Sequence, residues 1–284
     1  MKYFFFGNFH HKNKLSIPLM QKEGMDIDLQ FNSDIRYDWV ISNNSLTKFP
    51  NHKGGVIYGP SFLFHVDPAF NENNIPVDDN MYFNLLSNWN KILCEEIRPH
   101  MNCLALPFAV DVEKFTPKNK TGKPVIYFKY RSQQVLEDVI SKLGDNFLIF
   151  DYHKRYDEDS FNDAISKAPY CIWIGRHESQ GFALQETLST NTPIFVIDVQ
   201  SLRDEIIPNQ NTVWKNFLPE HPLKATAASY FNEDCGMISY PDKWEKDLNL
   251  FLDKIDSYAP RDFVMKNLSP RVCVDLWDNT LKNI

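Results

Sequence analysis

The most informative stretch of this sequence is HESQGFALQE, residues 177–186. It carries two glutamates, Glu178 and Glu186, and it lies between two apolar segments, residues 170–174 and residues 193–197. An apolar segment, a glycine-containing loop, a short helix and a second apolar segment form the pattern of a βαβ unit, which builds parallel sheets. Such sheets bind ligands beyond the carboxyl ends of their strands. We therefore predict a long ligand at the two glutamates, with hydroxyls at both ends and a phosphate between them.

Length and composition predict a folded protein with one or two domains. The chain has 284 residues, of which 43% are hydrophobic and 14% aromatic, and this is ample for a packed core. A formal net charge of −7 argues against a nucleic-acid partner. The apolar residues 1–7 are too short for a signal peptide and predict a first strand, and no later stretch has the length of a transmembrane helix. The five cysteines show no C-x-x-C spacing and predict reduced thiols in a cytoplasmic protein: Cys94, Cys103, Cys171, Cys235 and Cys273.

The first part of the chain alternates strand-like and helix-like segments. Apolar residues recur at helical intervals in residues 81–97, which predicts a helix there. Residues 111–123 contain few large apolar side chains and include Pro117 and Gly122, with Pro124 directly after them, which predicts a linker between domains. Buried strands are predicted at residues 3–6, 38–42, 55–60 and 103–107.

The second part of the chain repeats the alternation. Besides the strands on either side of the glutamate motif, strands are predicted at residues 125–128 and 146–150. Regular alternation in both parts predicts an α/β protein with two domains that face one another across a cleft. Helices are predicted at residues 135–143, 161–167, 248–255 and 271–281.

The spacing of the two glutamates limits the chemistry they can share. If the eight steps between Glu178 and Glu186 were all helical, the residues would lie ~12 Å apart along the axis. A retaining glycosidase needs its carboxyl groups about 5–5.5 Å apart, and an aspartic protease needs about 3 Å. We therefore expect the two side chains to hold separate parts of one ligand. Taken alone, the spacing also fits two solvated surface glutamates.

Positive charge is predicted near the first glutamate. Gly181 and Phe182 begin the helix, where backbone N–H groups and the helix dipole favour an anion. Lys129 and Arg131 follow the predicted strand at residues 125–128, and such a pair can neutralise a diphosphate without a metal ion. The alternative for these two residues is a solvated strand end.

Several short segments, taken in their order along the chain, resemble those of one enzyme family. Residues 178–183 with Glu186 are similar to a donor-site motif, and LPFAVDVEKFTP, residues 106–117, is similar to the end of a first domain. Other similar segments are residues 87–89, 192–193, 230–231, 235–236 and 268–271. The chain thus resembles the GT-B nucleotide-sugar-dependent glycosyltransferases of the retaining E-x7-E group, in particular small members from bacteria and large viruses.

The resemblance implies a GT-B fold, which consists of two Rossmann-like domains facing across a cleft and a C-terminal helix that crosses back to the first domain. It implies an acceptor-side domain at residues 1–117, a nucleotide-sugar donor domain at residues 118–268 and a crossover helix at residues 269–284.

The resemblance also implies roles for individual residues. Glu178 would be the catalytic residue beside the transferred sugar and the leaving phosphate, and Glu186 would hold the ribose hydroxyls. His65 follows a Gly-Pro turn and would orient sugar or acceptor, unless it is an ordinary loop histidine. The other donor-binding residues would be Lys129, Arg131, His177, Gly181 and Phe182, and the acceptor side would include Gly7 and Asn8.

The implied activity is the transfer of a hexosyl or pentosyl group to a hydroxyl of a glycan or a small acceptor. The donor, a UDP- or GDP-type sugar, would be a co-substrate. The transfer would retain the configuration of the sugar and would need no metal ion or other cofactor. The protein would act in the cytoplasm. Two alternatives stay open. One is another GT-B enzyme, such as a nucleotide-sugar epimerase or a phosphorylase. The other is a non-catalytic protein that binds carbohydrate or nucleotide.

Other motifs are weaker. The D-x-D triplets at residues 26–28 and 157–159 resemble the metal-binding motif of GT-A transferases. Neither follows a convincing buried strand, so we expect solvated loop carboxylates there. The sequence has no G-x-G-x-x-G and no G-x-x-x-x-G-K-[ST] motif, which weakens the interpretation as a dehydrogenase or an NTPase.

Overall fold

The computed structural model describes residues 1–43, 47–61, 79–205 and 224–284. The chain forms two compact units, one made of Met1–Ala109 with Leu268–Ile284 and the other of Val110–Asn267. Each unit is built on a parallel sheet with helices, as the alternating segments predict. Every helix in the described residues falls short of the length and apolar character that crossing a bilayer requires.

The sheet of the first unit is parallel throughout the described residues. Its strands are β1 (Lys2–Phe6), β2 (Asp26–Asp28), β3 (Trp39–Ser42), β4 (Gly55–Tyr58), β5 (Met81–Asn84) and β6 (Cys103–Leu104). Their order in the sheet is β2-β1-β3-β4-β5-β6, and all neighbours are parallel. Two helices, α1 (His11–Lys22) and α2 (Asn88–Ile97), connect strands of this sheet.

The predicted helix at residues 81–97 is wrong in its first part. Met81–Asn84 forms β5, because these residues pair with β4 on one side and β6 on the other. Leu86 has a φ of +70°, which a right-handed helix does not allow. Ser87 is the extended N-cap, so the helix begins only at Asn88. Apolar periodicity by itself does not separate a buried strand followed by a helix from one longer helix.

The sheet of the second unit includes three strands that are buried along their whole length. Its strands are β7 (Val125–Phe128), β8 (Leu148–Asp151), β9 (Cys171–Ile174), β10 (Ile194–Ile197) and β11 (Gly236–Ser239), in the order β11-β10-β9-β7-β8. All residues of β7, β9 and β10 are buried. Strands buried on both faces of a parallel sheet must be apolar on both faces, and this explains the uninterrupted runs VIYF, CIWI and IFVI.

Helices cover both faces of this second sheet. They are α3 (Gln133–Leu143), α4 (Glu158–Lys167), α5 (Phe182–Ser189), α6 (Trp244–Asp253) and α7 (Pro260–Asn267). One core cluster joins Phe128, Ile172 and Phe195 of the strands to Val139 of α3 and Phe251 of α6. The strands therefore hold the loops at their carboxyl ends on a rigid base.

The segment predicted as a linker packs on the second unit. Phe115 is buried, and its carbonyl oxygen accepts hydrogen bonds from Ser189 Oγ at 2.8 Å and from Arg261 Nη1 at 2.9 Å. The second compact unit accordingly begins at Val110, earlier than the predicted domain start at residue 118. The linker was predicted from composition, and composition does not predict tertiary hydrogen bonds such as those to Ser189 and Arg261.

The C-terminal helix α8 (Pro270–Lys282) belongs to the first unit. Trp277 is fully buried, and its Nε1 donates to the carbonyl oxygen of Pro107 at 2.8 Å. Its ring centroid lies 6.5, 6.1 and 5.7 Å from those of Tyr3, Phe5 and Phe108. Aromatic pairs of this kind contribute about 0.5–1.5 kcal/mol each beyond area burial. The predicted return of the last helix to the first domain is confirmed.

Candidate functional site

The loop between β9 and α5 has the form that the glutamate motif predicts. Gly181 is the N-cap of α5, with a φ of +82° and a ψ of +51°, a left-handed conformation that glycine adopts without strain. Glycine has no side chain that could cap the first-turn N–H groups of the helix. The backbone N–H groups of this turn, of which that of Phe182 is the first, can therefore interact with an anion. Phe182 is half-buried and is the first helical residue.

Two buried glutamines hold this loop against the helix. Gln185 Nε2 donates to the carbonyl oxygen of Gln180 at 2.5 Å, and Gln180 Nε2 donates to Gln185 Oε1 at 3.1 Å. Both side chains are almost fully buried. These bonds couple the turn before Gly181 to the second turn of α5, which restricts the position of Glu178.

Glu178 and Lys129 form an ion pair. Lys129 follows β7 and Glu178 follows β9, and the two strands are neighbours in the sheet. The side chains are 12% and 15% exposed, respectively, so the pair is largely but not fully withdrawn from water. Lys129 Nζ also lies 4.8 Å from the ring centroid of Tyr152, which adds a cation–π contact. The structure thus brings together two of the predicted site residues.

Arg131 lies deeper than the sequence suggests. Its guanidinium is buried, and Nη1 donates to the carbonyl oxygens of Gly175 at 3.1 Å and Ile197 at 2.9 Å. Burial lowers the pKa of Arg131, while the charges of Asp204, Asp198 and Glu205 oppose this shift. Arg131 therefore bridges the carboxyl ends of β9 and β10.

His177 is also buried, and it forms a pair with Glu205. Glu205 Oε1 accepts from the backbone N–H of His177 at 2.6 Å and lies 2.5 Å from His177 Nδ1. Because a carboxylate can only accept, Nδ1 carries the proton in this hydrogen bond. The side chains are 5% and 2% exposed. The pair anchors the residue that directly precedes Glu178.

The main chain of Glu178 is held on both sides. Its N–H donates to the carbonyl oxygen of Thr226 at 3.0 Å, and its own carbonyl oxygen accepts a hydrogen bond from Ser229 Oγ. Asp198, at the end of β10, in turn accepts from Thr226 Oγ1 at 2.7 Å and from the N–H of Ala227 at 2.6 Å. Burial raises the pKa of Asp198, although these hydrogen bonds oppose the shift.

Glu186 is buried on α5, close to a tyrosine from the loop after β8. Burial is the main reason that the pKa of Tyr156 rises to about 12, and the negative charge of Glu186 adds to this increase. The pKa of Tyr127 is also raised, mainly by burial, and the charge of Glu178 contributes to it. Neither glutamate is a freely solvated surface residue, and the solvated alternative is wrong for both.

The predicted residues of the first unit lie in the loop after β1. Gly7 has a φ of +105°. The side chain of Asn8 accepts from Lys14 Nζ at 2.6 Å, and its carbonyl oxygen accepts from Asn43 Nδ2 at 2.6 Å. These bonds fasten the loop to α1 and to the end of β3. His65 lies outside the described residues.

The D-x-D triplets have structural partners. Asp26 and Asp28 lie on the edge strand β2, where both accept from Lys2 Nζ, at 2.6 and 3.1 Å; the expectation of a loop is wrong for this triplet. Asp157 is the N-cap of α4 and accepts from the N–H of Ser160 at 2.7 Å. Over the described residues, no group of three or more His, Cys, Asp or Glu side chains is arranged to hold a metal ion.

Sequence reasoning gave no role to Asp198, Glu205, Thr226 or Ser229. One signal existed for Asp198, because an acidic residue directly follows the apolar segment at residues 193–197, at the edge where parallel sheets bind ligands. Glu205, Thr226 and Ser229 lie outside helices and strands, and no sequence pattern distinguishes them.

No protein-family model matches this sequence, and no curated protein matches it. Solved structures match in fold. One is the lipopolysaccharide outer core galactosyltransferase WaaB in its apo form, with a TM-score of 0.57 and 11% identity, over 100% of this chain and 99% of WaaB. Another is a mutant of TarM from S. aureus in complex with Fondaparinux, alpha-GlcNAc-glycerol and UDP, with a TM-score of 0.53 and 11% identity.

The TarM match covers 86% of this chain and 55% of TarM, so the chain spans just over half of that protein. A third match is sucrose-phosphate synthase from Thermosynechococcus elongatus, with a TM-score of 0.51 and 10% identity, over 87% of this chain and 73% of the synthase. These structures and the two parallel sheets show that the chain has the GT-B fold. The predicted fold class is confirmed.

Proposed function

We propose that this protein transfers a sugar from a nucleoside-diphosphate sugar to a hydroxyl of a glycan or a small acceptor. One observation carries the proposal: Lys129 and Glu178 form an ion pair at the carboxyl edge of the second sheet, beside the N-terminus of α5. A cation, a carboxylate and uncapped helix N–H groups together provide the charges that a sugar diphosphate requires.

The proposed reaction exchanges one bond at the sugar for another. The bond from the anomeric carbon to the diphosphate oxygen breaks, and the acceptor oxygen forms a new bond to that carbon. The acceptor proton passes to the released diphosphate, so charge and atoms balance. Lys129 and the N–H groups at Phe182 would stabilise the charge that develops on the leaving diphosphate.

In this proposal the two glutamates have different tasks. Glu178 would interact with the transferred sugar, next to the Lys129 ammonium that would contact the diphosphate. Glu186 would accept hydrogen bonds from the ribose hydroxyls, with Tyr156 next to it. Arg131 and His177 would act mainly by shaping the strand ends, because both side chains are buried against protein partners. Gly7, Asn8 and His65 would belong to the acceptor side.

The similar structures support a UDP-type donor and a glycosyl acceptor. The TarM structure contains UDP together with a glycosylated glycerol, and WaaB is a galactosyltransferase. Retention of configuration and independence of a metal ion are part of the proposal, supported by the E-x7-E motif and by the positive charge of Lys129. A cytoplasmic location is supported by the five cysteines, all of which are buried free thiols.

Ligand binding followed by product analysis tests the proposal. We expect UDP or GDP to raise the thermal unfolding temperature, because a ligand that binds the folded state stabilises it by RT ln(1 + [L]/Kd). The UDP and GDP sugars that bind are then incubated with and without hydroxyl acceptors. Product that requires an acceptor supports transfer, whereas a changed sugar nucleotide without acceptor indicates an epimerase. No stabilisation by any nucleoside diphosphate at millimolar concentration would contradict the proposal.

A further inference from the structure

Two buried carboxylates that the proposed chemistry does not use accept hydrogen bonds in the loop after β9 and in the segment beside it. Asp198 is 4% exposed, and the Glu205 side chain is 2% exposed. Buried carboxylates are costly to maintain unless hydrogen bonds satisfy their oxygens. Both of these carboxylates accept hydrogen bonds from segments that border Glu178, so their position suggests a role in placing that residue.

Asp198 acts on the segment at residues 226–229. Its Oδ1 accepts from the N–H of Val199 at 2.8 Å and of Ala227 at 2.6 Å, and its Oδ2 accepts from Thr226 Oγ1 at 2.7 Å. Thr226 Oγ1 also accepts from the N–H of Ala228 at 3.0 Å. One carboxylate and one hydroxyl therefore determine the course of this short segment, which has no helix or strand of its own.

The same segment holds both peptide groups of Glu178. Thr226 accepts from the N–H of Glu178, and Ser229 donates to the carbonyl oxygen of Glu178. Glu205 holds the preceding residue, His177, by its backbone N–H and by its ring. Two separate buried acids thus hold the main chain around Glu178, Asp198 through the segment at residues 226–229 and Glu205 through His177.

We propose that Asp198 and Glu205 are positioning residues, which place Glu178 beside Lys129 without touching the substrate. This inference rests on the proposed function of Glu178. A displacement of about 1 Å at a reacting group can lower a rate by about a hundredfold, so loss of these contacts should reduce turnover more than binding. Ligand affinity should change little, because Lys129, Glu186 and the N-terminus of α5 stay in place.

Thr226 offers a matched pair of variants for the test. Thr226→Val removes the hydroxyl with little change in volume, and Thr226→Ser keeps it. We expect Thr226→Val to lower kcat at least about tenfold with the UDP or GDP sugar that binds the wild-type protein. The Kd of UDP or GDP should stay within about twofold of the wild-type value. Thr226→Ser should stay near wild type. Ser141→Ala, which removes an exposed hydroxyl bonded to the carbonyl oxygen of Asp138, is the control.

Hydrogen exchange of the peptide at residues 176–182 measures the positioning without any substrate. The backbone amides of this peptide should exchange faster in Thr226→Val and in Glu205→Gln than in wild type. In Thr226→Ser they should exchange at the wild-type rate. The inference is overturned if the exchange rate is unchanged in both Thr226→Val and Glu205→Gln. It is also overturned if kcat is unchanged in Thr226→Val, or if Thr226→Ser is as impaired as Thr226→Val. If wild type binds no nucleotide, the proposed function fails, and the exchange rates still decide whether these acids hold the loop.

Discussion

The ammonium of Lys129 and the carboxylate of Glu178 form an ion pair between the loops after β7 and β9. Their side chains are 12% and 15% exposed. The ion pair between Lys118 and Asp163 in the same unit is different, because those side chains are 51% and 52% exposed. Water competes with the exposed pair and screens it, whereas the Lys129 pair retains more of its attraction. The two pairs therefore form a natural comparison within one compact unit.

Removing the cation from each pair should have unequal effects on stability. Lys129→Met removes the ammonium that pairs with the Glu178 carboxylate, and we expect a loss of about 1–3 kcal/mol in the free energy of unfolding. Lys118→Met should change it by less than about 1 kcal/mol. Urea unfolding of both variants measures the difference. The double variant Lys129→Met/Glu178→Gln should recover part of the loss, and equal effects of the two single variants would contradict the partial burial of the Lys129 pair.

Substitution of the two glutamates should separate turnover from binding. Glu178→Ala should lower kcat more than it weakens donor affinity, because Glu178 is proposed to act at the transferred sugar. Glu186→Ala should mainly weaken donor binding, by about tenfold or more, because two hydrogen bonds to ribose would be lost. Single-turnover rates and calorimetric titration of both variants measure the two effects.

Glu137→Ala is the control for this comparison, because Glu137 is an exposed residue of α3. It should leave both kcat and Kd at wild-type values. Wild-type activity in Glu178→Ala would remove the basis for the assigned role of this residue.

Much of the second sheet was predictable because its strands must be apolar on both faces. The predicted segments at residues 125–128, 170–174 and 193–197 correspond to β7, β9 and β10, which are buried along their whole length. The edge strand β2 was not predicted, since only Ile27 of its three residues is buried. A strand of that kind depends on its neighbour, and the Lys2 ammonium that holds it belongs to β1.

The candidate site was predictable only where it follows from topology. Lys129 and Glu178 each follow a strand, and neighbouring parallel strands bring their carboxyl ends together. The partners of Glu178 in the segment at residues 226–229 depend on tertiary packing, since Ser229 is 51 residues away in sequence. The burial of Arg131 was also not predictable, because its acceptors are carbonyl oxygens, which every residue has.

Gly181 and Gly144, two glycines of the second unit with positive φ, should respond differently to alanine. Gly181 has φ +82° and ψ +51°, in the left-handed region, where alanine should cost about 1–2 kcal/mol. Gly144 has φ +71° and ψ −160°, a backbone conformation that essentially only glycine adopts, so alanine there should cost more stability than at Gly181. A Cβ at Gly144 would have no atom within 4 Å, whereas one at Gly181 would lie 3.3 Å from the Cβ of Glu178. We therefore expect only Gly181→Ala to weaken nucleotide binding. Thermal unfolding and UDP titration of both variants check this, and equal nucleotide affinity in the two would contradict it.

Lys120 should make stability depend on pH in the alkaline range. Its Nζ donates to the carbonyl oxygens of Ser166 and Thr190, at 3.2 and 2.9 Å, and to Thr192 Oγ1 at 2.5 Å. Burial lowers the pKa of Lys120 from 10.5 to about 8. Between these two pH values the unfolded chain keeps the proton and the folded chain has released it. The unfolded state therefore binds more protons, and the free energy of unfolding rises with pH through this range.

The contribution of Lys120 is the difference between the free energies of unfolding of wild type and of Lys120→Met, measured at each pH. Other groups that titrate above pH 8 are present in both proteins and cancel, so the stability of wild type relative to the variant should increase from about pH 8 to about pH 10.5. Lys123→Met, which removes an exposed lysine of the same segment, is the control variant. Urea unfolding at half-unit steps of pH measures both differences. A flat difference for Lys120→Met would mean that the three oxygen acceptors favour the ammonium enough to cancel the effect of burial.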